Sequence, residues 1–195
     1  MASVPVAACS PCDEPSASPP AIIPLAVATI APDLPQYRRA DWRHWIDEDR
    51  DCQSTRAEVL IAESLVDVAF TNERGCVVVT GHWIDPYTGN EFTDARLVDI
   101  DHMVPLANAH RAGGWQWTAA DRQAYANDLT NPQHLVAASA SANRSKGDKG
   151  HEEWRPPNEG YWCQYATDWV GVKQTWTLTV TQAEWDALVE MLGRC

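Results

Sequence analysis

Apolar residues recur at helical spacing within TRAEVLIAESLVDVAF, at positions 59, 62, 65, 66 and 69. Thr55 and Glu58 stand ahead of them at the separation of a capping box. The pattern predicts a helix running from Thr55 to the end of that stretch. CVVVTGHWI (76–84) is β-branched and aromatic and predicts a strand, followed by a Pro/Gly turn at DPYTGN. A second strand is expected over VDIDHMVPL (98–106), ended by Pro105. TAADRQAYANDL (118–129) predicts a helix with Thr118 as N-cap. NPQHLVAASASANRSKGD (131–148) reads as turn, short strand and short helix of small residues. Two C-terminal helices follow, YATDWVGVKQTW and TQAEWDALVEML, the latter opened by Thr181 and Glu184 in capping-box spacing.

Residues 1–36 hold most of the 13 prolines together with Ser and Ala, so they read as a leader or linker without a core of its own. AIIPLAVATIA within them has the length of a signal-peptide apolar region, but no Lys or Arg precedes it. One domain is expected over 37–195, beginning with YRRADWRHWIDEDRDC, a loop or short helix that packs Trp42 and Trp45 inward.

The strand at 98–106 breaks its own pattern by carrying Asp99, Asp101 and His102. Unpaired buried charge costs several kcal/mol of desolvation, about as much as a whole interaction network contributes, so something must compensate these groups. The charge distribution bears on what that is. Net charge is -12, which argues against an anionic partner, yet residues 96–151 hold 6 basic against 5 acidic side chains. A local basic patch on an acidic chain is therefore expected there, and a bound divalent cation would add to it.

The 6 cysteines show no paired zinc spacing, and their long intervals suit disulfides in an exported protein. Four fall within 37–195 and allow three connectivities. Cys52–Cys76 and Cys163–Cys195 are favoured because each ties a helix to the next element along; reduced buried thiols are the alternative. No apolar run is long enough for a membrane span.

DIDHMVPL followed by NPQHLVAASASANRSKGD resembles the HNH endonucleases, the His-metal finger or ββα-metal nucleases, and most closely their exported actinobacterial branch. The matching positions are Asp101 and His102 on a strand, Asn131 in an N-x-x-x-L turn, and Asn143 with Lys146 on a helix. The core of the match spans about residues 98–148, and DPYTG and the Trp-rich helices extend it over most of the chain after Tyr37. The resemblance implies an α+β fold with a ββα-metal core and additional helices, stapled by disulfides. It also implies a nucleic-acid substrate cut to leave 5′-phosphate ends, one Mg²⁺ or Mn²⁺ per site, and a secreted, monomeric protein.

The chemistry asks for the same residue types. Phosphodiester hydrolysis needs a base for water, positive charge on the phosphate oxygens and help for the departing oxygen. His102 suits the base, since a neutral imidazole with an ordinary pKa of about 6.5 accepts a proton at working pH. Asp101 and Asn143 supply hard oxygen ligands, and the cation compensates Asp101. Arg144 and Lys146 are expected to pair with backbone phosphates. Asn131 is expected to hold the loop before the helix through side-chain to backbone hydrogen bonds. Adjacent strand residues point to opposite faces, so bringing Asp101 and His102 to one phosphate requires a bend before Pro105. Asp99 shares a face with Asp101 and is the rival ligand.

Each residue has a plainer reading. His102 alone would be a hydrogen-bonded core histidine, and NRSK alone a helix end on a solvated face. His134 is at best a substrate contact, His110 a polar helix or loop residue, and His44, His82 and His151 surface or packing residues. The 10 tryptophans are expected mostly in the core, with Trp115 and Trp117 the ones to watch beside the site. Two other functions remain open: a non-catalytic module binding sugar or cell wall through exposed Trp on a degenerate nuclease core, and a purely structural metal site.

Overall fold

The computed structural model describes residues 25–195. Cys9, Cys12 and the first part of the expected leader lie outside them. The fold is α+β, with two small antiparallel sheets among six helices. The first helix, α1 (Thr55–Glu63), leads into β1 (Ala69–Phe70), β2 (Val78–Ile84) and β3 (Glu91–Asp94), which pair antiparallel in the order β1-β2-β3. The helix thus stops short of the end of its apolar stretch: the chain turns at Ser64, whose hydroxyl accepts the His82 amide, and residues 69–70 join the sheet. The expected capping box at Thr55 does not form either. Ser54 is the N-cap, and the Thr55 hydroxyl instead bonds the Ile46 carbonyl and Asn127 Oδ1.

Next come β4 (Val98–His102), α2 (Leu106–Arg111), α3 (Ala119–Ala126), β5 (Leu135–Ser139) and α4 (Ala140–Lys146). β4 and β5 pair antiparallel, Val98 opposite Ser139 through His102 opposite Leu135. Ser139 ends the strand and at once caps the helix, its Oγ accepting the Ala142 amide at 3.2 Å. This strand–strand–helix unit is the ββα core, with α2 and α3 inserted between its strands. Thr118 forms a reciprocal capping box with Asp121 at the start of α3.

The β4–β5 ribbon is covered on both faces, which is why LVAAS reads as a continuous apolar run. Val98, Ile100, Leu135 and Ala137 face α1 and β2, where Val59, Leu60, Val78 and Trp83 complete one core. Val136, Ala138 and Ala142 join the other core, with α5 (Trp162–Thr175) and α6 (Gln182–Leu192). A buried pair, Lys173 Nζ to Glu184 Oε1 at 2.6 Å, bolts α5 to α6.

Both favoured disulfides are present, Cys52–Cys76 and Cys163–Cys195. The folded body begins before Tyr37, contrary to a linker extending to residue 36. Leu25 is buried in the larger core, Val27 bridges Val180, and the Pro35 carbonyl accepts a hydrogen bond from His110 Nε2 at 2.7 Å. A proline-rich composition therefore does not prevent this segment from docking through one strand bridge and one leucine. None of the 10 tryptophans is exposed, and Trp42, Trp83 and Trp169 are fully buried. Among the described residues no helix is long and apolar enough to cross a membrane.

Candidate active site

The ββα unit opens onto a cleft of about 480 Å³ lined by Asp101, His102, Asn143 and Arg144, with Tyr37 and Arg39 from the N-terminal segment. His102 is the last residue of β4, and the chain bends at Met103 and Val104 before Pro105 starts α2. This bend lets neighbouring strand residues of opposite facing line one cleft.

His102 is only 5% exposed. Its Nε2 lies 3.0 Å from the Ala126 carbonyl, and because a carbonyl oxygen only accepts, Nε2 carries the hydrogen. In the neutral ring Nδ1 is then the nitrogen with a free lone pair. Trp45 stacks on the imidazole at 5.4 Å between ring centroids, and Tyr125 covers it at 6.4 Å. Burial holds the imidazole well below its ordinary pKa; His134 adds to this, as do Arg39 and His44, against the opposing Ala126 bond. His102 is thus neutral at physiological pH.

Asp101 is buried, and groups of the protein itself compensate its charge. Lys146 Nζ stands 2.5 Å from Oδ2 and also donates to the His102 carbonyl at 2.8 Å. The Tyr87 hydroxyl donates to the same Oδ2 at 2.6 Å. Burial raises the carboxyl pKa and lowers that of the ammonium, and each partner opposes the other's shift. Burial also pushes the Tyr87 phenol far up, so it stays a donor. Among the described residues Oδ1 has no hydrogen-bond partner, and it is not sealed from solvent.

Lys146 therefore does not meet substrate. Its side chain has no exposed area, and the expected phosphate contact gives way to an internal ion pair. Asn143, one helical turn earlier on the same face of α4, donates from Nδ2 to Asp99 Oδ2 at 3.4 Å, leaving its carbonyl oxygen unpartnered among the described residues. Asp99 is thus placed as an orienting residue for Asn143, with Arg144 Nε 3.9 Å away. Arg144 is 77% exposed and lines the cleft. Gly147, at φ +58°, ends α4 beside the cleft in a conformation side chains rarely adopt.

Asn131 does not line the cleft. Its Oδ1 accepts the Gln133 amide at 3.0 Å and its carbonyl the His134 amide at 2.9 Å, so it shapes the turn into β5. His134 is fully buried and donates from Nε2 to the Tyr125 carbonyl at 2.7 Å, which removes it as a substrate contact. His110 and His151 are buried as well, and His44 and His82 lie nearer the surface. Neither Trp115 nor Trp117 lines the cleft; Trp117 packs on Trp42, Tyr125 and Trp176.

Three partners escaped sequence reasoning. Trp45 was expected only to pack, yet it covers the catalytic candidate. Tyr87 lies in the DPYTGN turn, where Asp85 holds its amide at 3.0 Å and Asn158 clamps the Tyr87 carbonyl at 2.9 Å. Arg39 lines the cleft as well; its place a few residues before Trp42 and Trp45 carries no sign of that in the sequence.

A family model described as GmrSD restriction endonucleases, C-terminal domain, matches residues 55–191. The chain belongs to this family. The family match contains every residue of the ββα unit, as well as Tyr87, and stops short of Tyr37, Arg39 and Trp45. An "Uncharacterized secreted protein" of Arthroderma benhamiae is 43% identical over 174 residues, covering 88% of this chain and 82% of that protein. This match does not support narrowing the resemblance to an actinobacterial branch. No solved structure matches.

Proposed function

We propose that the chain is a metal-dependent endonuclease of the HNH type, hydrolysing phosphodiester bonds of nucleic acid, DNA in the first place, with little sequence specificity. The observation that carries this reading is the convergence of His102, Asp101 and Asn143 on one cleft of a ββα unit in a chain of an endonuclease-domain family.

His102 is the general base. The Ala126 carbonyl fixes the tautomer, Trp45 and Tyr125 fix the ring plane, and Nδ1 takes the proton of the attacking water. Asp101 Oδ1 and the side-chain oxygen Oδ1 of Asn143 are hard donors without partners among the described residues, a pair that fits one Mg²⁺ or Mn²⁺ with its remaining positions open to water and phosphate. When bound, such an ion stabilises the charge developing on the phosphate and on the departing 3′ oxygen. Lys146 and Tyr87 hold Asp101 in a single orientation through Oδ2, and Asp99 does the same for Asn143 through Nδ2. Arg144 pairs with the phosphate backbone. The bond from phosphorus to the 3′ oxygen breaks, leaving a 5′-phosphate.

Secretion fits the two disulfides and the description of the Arthroderma relative. A module that binds sugar through exposed Trp has little to stand on, since no tryptophan is exposed.

Plasmid nicking in Mg²⁺ tests the proposal. His102→Ala is expected to lower the rate by about 10²-fold or more in a protein that still folds, though less stably because a buried, hydrogen-bonded ring is removed, and chelation of the wild type is expected to stop cleavage. Undiminished nicking by the variant would sink the assignment.

A further inference from the structure

The cleft has a second wall that lies outside the family-matched residues. Tyr37 and Arg39 line the cleft together with Asn143 and Arg144 of α4 and with Gly147 and Asp148 just after that helix. The segment that carries them is anchored rather than loose. The Pro35 carbonyl is held by His110, and the Tyr37 ring packs edge-on against His110 at 5.7 Å and against Trp42 at 6.4 Å. Upstream, Leu25 and the Val27–Val180 bridge tie it to the body.

Arg39 differs from the other arginines near it. Arg38 is tied into a two-pronged pair with Asp41, at 3.0 Å for each bond. Arg111 is paired with Asp148. Arg39 has no carboxylate partner among the described residues; its side-chain partners there are His44, Nη2 to Nε2 at 3.2 Å, and the Tyr37 hydroxyl, which accepts from it. His44 is fixed in turn, because its Nδ1 bonds the Trp42 carbonyl at 2.8 Å and must donate there, so Nε2 accepts from Arg39. A guanidinium partnered only by an imidazole nitrogen and a phenol oxygen has no counter-charge beside it and keeps donors for something else. On a chain of net charge -12, a cation without a counter-ion facing a cleft is a site for an anion.

We infer that Arg39, steadied by His44, forms a phosphate subsite that works with Arg144 across the cleft, gripping a nucleic-acid phosphate next to the one that is cut. The inference rests on the nuclease reading above and extends it to a segment that the family match does not include. A planar fork suits a phosphate better than a point charge does, so Arg39→Lys recovers only part of the function.

The test compares Arg39→Gln with Arg38→Gln, neighbouring substitutions that remove the same charge, one on the cleft and one outside it. Binding of a fluorescent DNA duplex to the full chain carrying His102→Ala is measured over a range of salt, alongside steady-state nicking by the chain with His102 intact. Arg39→Gln is expected to raise Kd and KM about ten-fold, with a smaller change in kcat. It should also lower the slope of log Kd against log salt by about 1. Arg38→Gln is expected to shift Kd less than about two-fold, since only net charge changes. Equal effects of the two substitutions, or an unchanged Kd and salt slope for Arg39→Gln in a protein that cleaves normally, would overturn the subsite while leaving the nuclease reading intact. Failure of the unaltered chain to bind or cut any nucleic acid would overturn both.

Discussion

At the scale of the residue, the decisive pair is Asp101 with Lys146. A buried carboxylate whose cation is removed keeps its desolvation penalty and loses its partner, so Lys146→Met is expected to destabilise the fold by about 3–5 kcal/mol in chemical denaturation. Adding Asp101→Asn to that variant is expected to restore part of the loss, because the neutral amide no longer needs a counter-charge. Without such recovery, Lys146 would not be the compensating charge. Tyr87→Phe removes one hydrogen bond to the same oxygen and is expected to cost about 1–3 kcal/mol, the range for bonds to charged groups. His102 and Asn143 were legible from the sequence as residue types at the right spacing. What Lys146 does was not, since a lysine two residues after an exposed arginine on a short helix reads equally well as a solvated charge.

At the scale of the element, the site depends on how the ribbon and α4 are held. Ser139 both ends β5 and caps the helix that carries Asn143, so Ser139→Ala is expected to cost about 1 kcal/mol and to weaken nicking as that helix loosens. From the other side, α1 is joined to the ribbon by Arg56, which donates to the Ala95 and Val98 carbonyls, and by Glu63, which accepts the Ala137 amide at 2.9 Å. Burial pushes the Glu63 carboxyl up to about 7, with the Ala137 bond opposing. The folded chain therefore holds a proton there that the unfolded chain releases near its ordinary value of 4.5. The stability from this group is complete below pH 4.5 and is lost as pH rises through about 7. The loss is on the order of 1–3 kcal/mol, and Glu63→Gln is expected to flatten that part of the pH profile in thermal melts. Element boundaries were read less well than element types. The Thr55 capping box failed because the hydroxyl found long-range partners at Ile46 and Asn127, which no local pattern encodes.

At the scale of the whole molecule, two disulfides close chain separations of 24 and 32 residues. Chain-entropy arguments put each at about 3–4 kcal/mol. Reduction is therefore expected to lower the melting temperature by well over ten degrees, and Cys163→Ser with Cys195→Ser to do so without changing the pH dependence assigned to Glu63. The two cores on either face of the β4–β5 ribbon make the site a rigid seam between them, with the N-terminal segment and α4 forming its walls.

By itself the sequence determined the chemistry on offer and the local elements: an Asp-His strand, an Asn-bearing helix, two C-terminal helices of which the second is capped, and cysteines spaced for two bridges. These follow from periodicity and side-chain chemistry over a few residues, which act before any long-range contact forms. Only the tertiary structure decided who neutralises Asp101, which nitrogen of His102 is free, that Asp99 serves Asn143, and that Arg39 faces the cleft. Each of those depends on groups brought together from segments 14 to 75 residues apart, as Tyr87 with Asp101 and Pro35 with His110 illustrate. Burial and pairing are properties of such contacts, and a linear pattern carries no term for them.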